Sequence, residues 1–141
     1  MKVIKPITFT PAMLLSSNAT ETVADWSSGT TYAKDAEVNY NNSIYVSLQG
    51  SNLNKIPTAE PTWWIRKSAN NKYSMFDEFV NTQTNRASNL TVSIQPGAVF
   101  NSIAIFNTTG ANTLQVVVTD GVSGSTVYDS GVLQLDDTVI V

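Results

Sequence analysis

Trp26-Ser27-Ser28-Gly29-Thr30-Thr31-Tyr32-Ala33-Lys34-Asp35-Ala36-Glu37-Val38-Asn39-Tyr40-Asn41-Asn42-Ser43-Ile44-Tyr45-Val46, followed by Pro57 and by Trp63-Trp64, is the stretch whose reading decides the fold. All three tryptophans of the chain lie between positions 26 and 64, with Tyr32, Tyr40 and Tyr45. Each aromatic ring brings a large buried area, so a few of them can fix a small fold. The spacing predicts a compact antiparallel module. Tyr32 closes a turn after Gly29, Val38 and Tyr40 share one strand face, and Asn41-Asn42 forms a tight turn. Ile44-Tyr45-Val46 then returns as the second strand, and a third is expected over residues 63–66.

Upstream, residues 3–9 read as an extended arm. Pro6 lacks a backbone donor there, which suits an edge or a strap. Thr10-Pro11 is a helix start, since Thr can cap and Pro fits the first helical position. The helix is expected to end near Ser16, where Ser16-Ser17-Asn18 offers competing side-chain hydrogen bonds. Downstream, residues 49–61 form a polar loop, and Asn70-Asn71-Lys72 reads as a turn or linker. In residues 73–80, Tyr73, Phe76, Phe79 and Val80 fit helical spacing. An irregular segment plugging a second core fits them equally and is preferred.

From Leu90 onward the pattern is β. Leu90, Val92 and Ile94 alternate with polar residues, and Pro96-Gly97 makes a turn. Ile103-Ala104-Ile105-Phe106, apolar on both faces, reads as a central strand covered twice. Residues 113–119 are a further strand, Asp120-Gly121 and Gly124 mark a hairpin, and residues 126–128, 131–135 and 138–141 complete the set. The expected fold is mainly β. An N-terminal arm with a short helix (1–20) precedes an aromatic-rich antiparallel module (21–71) and a β-sandwich or jelly roll (72–141). An apolar strand at 139–141 needs a covered edge, within this sandwich, from another chain or from further residues of a longer polypeptide.

The 141 residues suit one ordinary domain or two small ones. Up to Arg86 there are eight bases against seven acids, and from Ala87 onward four Asp and no base. Neither half has the clustered Lys or Arg that phosphate binding needs, so nucleic acid is not an expected partner. No apolar run is long enough to span a membrane as a helix. The chain has no Cys and no His, which excludes disulfides and thiolate metal sites and removes the commonest nucleophile–base pairs.

Carboxylate pairs at Asp35/Glu37, Asp77-Glu78 and Asp136-Asp137 could in principle flank a sugar as a glycosidase does. On a small β-domain they read as solvated charges, so no catalytic residue is assigned. Asp120, Asp129, Asp136 and Asp137 lack calcium-loop spacing and read as turn formers, so no metal or other cofactor is expected. Carbohydrate binding is the sharper possibility, because exposed rings stack on the apolar faces of sugars. Trp63 and Trp64, adjacent on an expected strand, point to opposite faces, so one can be core and the other exposed. Trp26, Tyr32 and Tyr40 are further candidates. For a module this small, core packing of all five is favoured.

The pattern Trp26, Tyr32, Val38-x-Tyr40, turn, Tyr45, Pro57 and Trp63 resembles the small carbohydrate-binding modules of chitinases and cellulases. Asp35-Ala36 stands where those modules have Gly-Asp. Gln49-Gly50 stands where they carry an exposed aromatic pair. The likeness is closer to the N-terminal region of tailed-bacteriophage virion proteins. There the aromatic pattern follows an opening like Ile4-Lys5-Pro6-Ile7 and Met13-Leu14-x-Ser16-Ser17-Asn18. It precedes segments like Pro61-Thr62-Trp63-Trp64, Met75-Phe76-Asp77 and Thr82-Gln83-Thr84. This resemblance covers nearly the whole chain. It implies a structural role without catalysis, in a virion assembled in the host cytoplasm. The implied partners are other virion subunits in a homo-oligomer. The alternative is a carbohydrate-binding module that grips host-surface or environmental polysaccharide, including one detached from a glycoside hydrolase.

Overall fold

In a computed structural model, the structure describes residues 6–77, 79 and 81–135. The chain is mainly β: small antiparallel ladders joined by turns, with helix limited to two single 3-10 turns among the described residues. The strands are β1 (Leu14–Ser17), β2 (Thr31–Tyr32), β3 (Glu37–Tyr40), β4 (Ser43–Ser47), β5 (Asn52–Leu53) and β6 (Trp64–Ala69). They continue with β7 (Val92–Ile94), β8 (Thr113–Leu114), β9 (Val117–Thr119), β10 (Thr126–Asp129) and β11 (Leu133–Gln134). None of the helical turns is long and apolar enough to cross a membrane among the described residues.

The hairpin at Asn41-Asn42 forms as its sequence dictates. Both asparagines take positive φ, 52° and 63°, the twist that primed two-residue turns need. They pair Tyr40 with Ser43 and Val38 with Tyr45. β6 adds on the far side of β4, with Trp64 opposite Ser47 and a bulge between Ile44 and Tyr45. Asp35 also sits at positive φ, 67°, a position its short polar side chain tolerates. Its N–H donates to Ser47 O at 2.8 Å, closing the turn into β3. β2 and β5 pair alongside as a two-stranded ladder. Val38, Ile44, Trp64 and Ala69 are buried at this sheet.

Three expectations change in the region around the sheet. First, the helix expected to reach Ser16 is one 3-10 turn, Pro11–Met13, after which Leu14 is already extended. β1 wins because it has a partner: Leu14 pairs with Ile94 and Ser17 with Val92 on β7. Asn18 extends the ladder, its N–H donating to Thr91 O and its Oδ1 accepting from Thr91 N–H. Second, the division of the chain falls at Ile94, not at Asn71. Phe9–Ile94 forms one compact unit, because Asn71 ties segments together instead of linking them. Its Nδ2 donates to Thr20 O at 2.7 Å and to Asn85 O at 2.8 Å, and its Oδ1 accepts from Asn85 N–H at 2.7 Å. Third, the segment after Lys72 is irregular past a 3-10 turn at Ser74–Phe76, but it packs within this same unit. Phe76 stacks flat on Phe9, centroids 3.9 Å apart, and Tyr73 tilts against Phe9 at 6.3 Å.

The second unit is described at residues 6–8 and 95–135. β8 pairs with β11 and β9 with β10. Asp120 N–H donates to Ser125 O at 2.9 Å across the β9–β10 connection, where Gly121 and Ser123 take positive φ. Residues 103–106, expected as a doubly covered central strand, carry no strand, and Ile103 and Phe106 are exposed. The pattern asks for cover on both sides, and no second layer lies over it among the described residues of this unit. Among the described residues its ladders are two-stranded, where two packed sheets were expected. The expected strand at 138–141, the pair Asp136-Asp137, the first five residues, Glu78 and Val80 lie outside the described residues.

Candidate functional site

The five candidate rings are placed by the three-stranded sheet and its flanking loops. They form two edge-to-face pairs and one ring capped by a cation. Trp64 opens β6 at the core and is 2 % exposed. Its indole Nε1 donates to Lys55 O at 2.7 Å, and Tyr32 packs against it at 5.3 Å and 70°. The Tyr32 hydroxyl accepts from Ser27 N–H at 2.7 Å, which ties the turn after Gly29 to the core. The same module holds a buried polar link. Ser47 and Asn52 are fully buried, Asn52 Nδ2 donates to Ser47 Oγ at 2.8 Å, and that hydroxyl donates to Gln49 O.

The second pair is Trp26 and Tyr40, 5.5 Å apart and crossed at 76°. Asp25 and Asn39 pin it, through Asn39 Nδ2 donating to Asp25 Oδ1 and Trp26 N–H donating to Asn39 O. The Trp26 Nε1 is buried and meets no acceptor among the described residues. Trp63 sits in the turn before β6, not on the strand. Its N–H and that of Trp64 both donate to Glu60 O. The Lys55 ammonium lies 5.3 Å from the Trp63 centroid, a cation–π contact, and Lys55 also pairs with Glu60 at 3.8 Å.

Trp64 is therefore core and offers no open ring face to a sugar, and Tyr32 is spent against it. Trp26, Tyr40 and Trp63 are half-buried. The crossed pairs do not make a flat platform, since edge-to-face packing turns neighbouring rings away from a common plane. Of the carboxylate pairs, Asp35 lies in the turn ahead of β3 and Glu37 on it, where Glu37 bonds Lys67. Asp77 Oδ1 accepts from Phe79 N–H and from the Thr82 hydroxyl. Asp129 Oδ1 accepts from Gln115 Nε2 and Gly131 N–H, both at 2.9 Å. These two bonds hold its carboxyl below the ordinary value, against a small opposing effect of burial.

Two roles escaped the sequence. Lys55 lies in a polar loop with no pattern that aims it at Trp63. Asn71, in an Asn-Asn-Lys run of turn composition, carries three side-chain bonds that only long-range neighbours create. Comparison with known families, with curated proteins and with solved structures returned no match.

Proposed function

We propose that this chain is a non-enzymatic structural component of a tailed-phage particle. It acts as an assembly and adaptor piece of the tail, fibre attachment, baseplate or neck through protein–protein contacts. The ordered run of short motifs between residues 4 and 84 supports the virion setting. The single observation that carries the adaptor role is the contrast between the two units. Phe9–Ile94 has its own buried core, whereas none of the described residues 95–135 is buried. A polypeptide with a finished module and an unfinished apolar one is suited to joining neighbours. The test is mass spectrometry of gradient-purified particles from the producing host. The chain is expected in fixed ratio to tail or neck proteins, and its absence from particles would overturn the reading.

A second reading is polysaccharide binding. It is favoured by Trp63, which keeps part of its ring exposed in the turn before β6, beside a lysine. Polysaccharide pull-down compares the parent chain with Trp63→Ala. Retention lost in the variant with the Trp64 core intact would promote this reading over the first.

A further inference from the structure

The turn before β6 gathers an aromatic ring, a cation, a carboxylate and an amide. Trp63 keeps part of its ring exposed there. The Lys55 ammonium lies 5.3 Å from that ring's centroid, and Glu60 Oε1 lies 3.8 Å from the same ammonium. Gln49 Nε2 donates to Thr62 O at 2.9 Å, which holds an amide beside the residue preceding Trp63.

The backbone under these groups is fixed. Lys55 O accepts from the buried Trp64 indole at 2.7 Å. Glu60 N–H donates to Ile56 O, Glu60 O accepts from the Trp63 and Trp64 N–H groups, and Trp63 O accepts from Leu48 N–H. A ligand meets a scaffold already set, with only side-chain ends left to order.

The ammonium is the group whose bonding is unfinished. An ammonium has several donors to place, and Lys55 Nζ makes no hydrogen bond among the described residues, since 3.8 Å to Glu60 exceeds that reach. The Lys55 and Glu60 side chains keep 35 % and 40 % exposure, and an ion pair that open to water is weak. A ligand carboxylate can take the ammonium from Glu60. A uronic acid carries both features this pair can read: an apolar C–H face for the ring and a carboxylate for the ammonium. A neutral sugar engages the ring alone.

We propose that Trp63 and Lys55 form a subsite for acidic polysaccharide, with the ring stacked on a uronic acid residue and the ammonium on its carboxylate. The inference rests on the polysaccharide reading above and names the sugar class. Glu60 competes for the ammonium and limits the affinity. The net charge of −3 opposes general attraction to a polyanion, so retention on one reports a local site.

The test uses the whole 141-residue chain. Its depletion from solution is measured on immobilised polygalacturonate, the fully methyl-esterified form of that polymer, polyglutamate, chitin and cellulose. Polygalacturonate is expected to bind best and its methyl ester about fivefold more weakly, the gap closing as salt is added. Trp63→Ala weakens binding to both forms about tenfold, as truncation of an anchoring ring does. Lys55→Gln abolishes the difference between the two forms, Lys55→Arg keeps it, and Glu60→Gln widens it. Circular dichroism stays parental in all of these variants. Equal binding of the acid and ester forms, equal binding of polyglutamate, or a Lys55→Gln chain that still prefers the acid would overturn the proposal. Chitin or cellulose held through Trp63 without preference for polygalacturonate defeats this inference alone. Retention on no polysaccharide defeats the reading beneath it as well.

Discussion

Replacing Asn71 by Ala tests whether residues 72–94 belong to the aromatic unit. Three side-chain bonds disappear: two from Nδ2, to Thr20 O and Asn85 O, and one accepted from Asn85 N–H. Thr20 and Asn85 are exposed, so their freed groups recover water and no full desolvation penalty is added. Each bond then counts at its net worth of about 1 kcal/mol, for a total loss of about 2–3 kcal/mol. With a urea slope near 1 kcal/mol/M for a unit this small, the midpoint falls by about 2 M. Urea unfolding followed by tryptophan fluorescence reads the sheet, and amide exchange at Thr91 reads the β1–β7 strap. Both are expected to move together, because Asn71 also meets Glu21 through its N–H and Thr84 through its carbonyl. A midpoint shift under about 0.5 M with unchanged Thr91 protection would refute the reasoning. It would mean that Asn71 is a linker after all.

Other outcomes follow from the same contacts. Trp64→Ala is expected to cost about 3–5 kcal/mol, as loss of a large core ring does, while Trp63→Ala costs under about 1 kcal/mol from a turn position. Urea melts by circular dichroism compare them, and equal costs would contradict the core assignment. A Cβ at Gly124 would lie 1.7 Å from Asp120 O, so Gly124→Ala forces the β9–β10 connection open. Amide exchange over Val117–Thr119 is expected to rise, and unchanged protection would show that the turn is not as described. Asp129 has a depressed folded pKa, so its contribution is present above the ordinary 3.8 and lost as pH falls through the lower folded value. The Gly131 amide resonance is expected to titrate below 3.8 and to move back toward it in Gln115→Ala. A parental midpoint at or above 3.8 would contradict the bonding at this turn.

Several features were legible because they are local. The Asn41-Asn42 hairpin needs only two residues tolerant of positive φ between alternating strands. The mainly β character followed from strand-length alternation and from turn residues at short intervals. For the candidate rings, composition marked the right neighbourhood and not the roles. Trp63 and Trp64 are one residue apart, yet one enters the core and the other lies under Lys55. That choice was made by where the Glu60 turn ends and β6 begins.

What the amino-acid order determined on its own was the near-neighbour physics: where the chain turns at Asn41-Asn42 and at Asp120-Gly121, and the absence of thiol and imidazole chemistry. Tertiary structure alone decided that the strand after Met13 pairs with one nearly eighty residues later, and that Asn71 joins three segments. It also left residues 103–106 bare. The reason is common to all three. Strand pairing and side-chain knots take their free energy from residues distant in sequence, and an apolar run becomes a covered strand only where another surface exists to cover it.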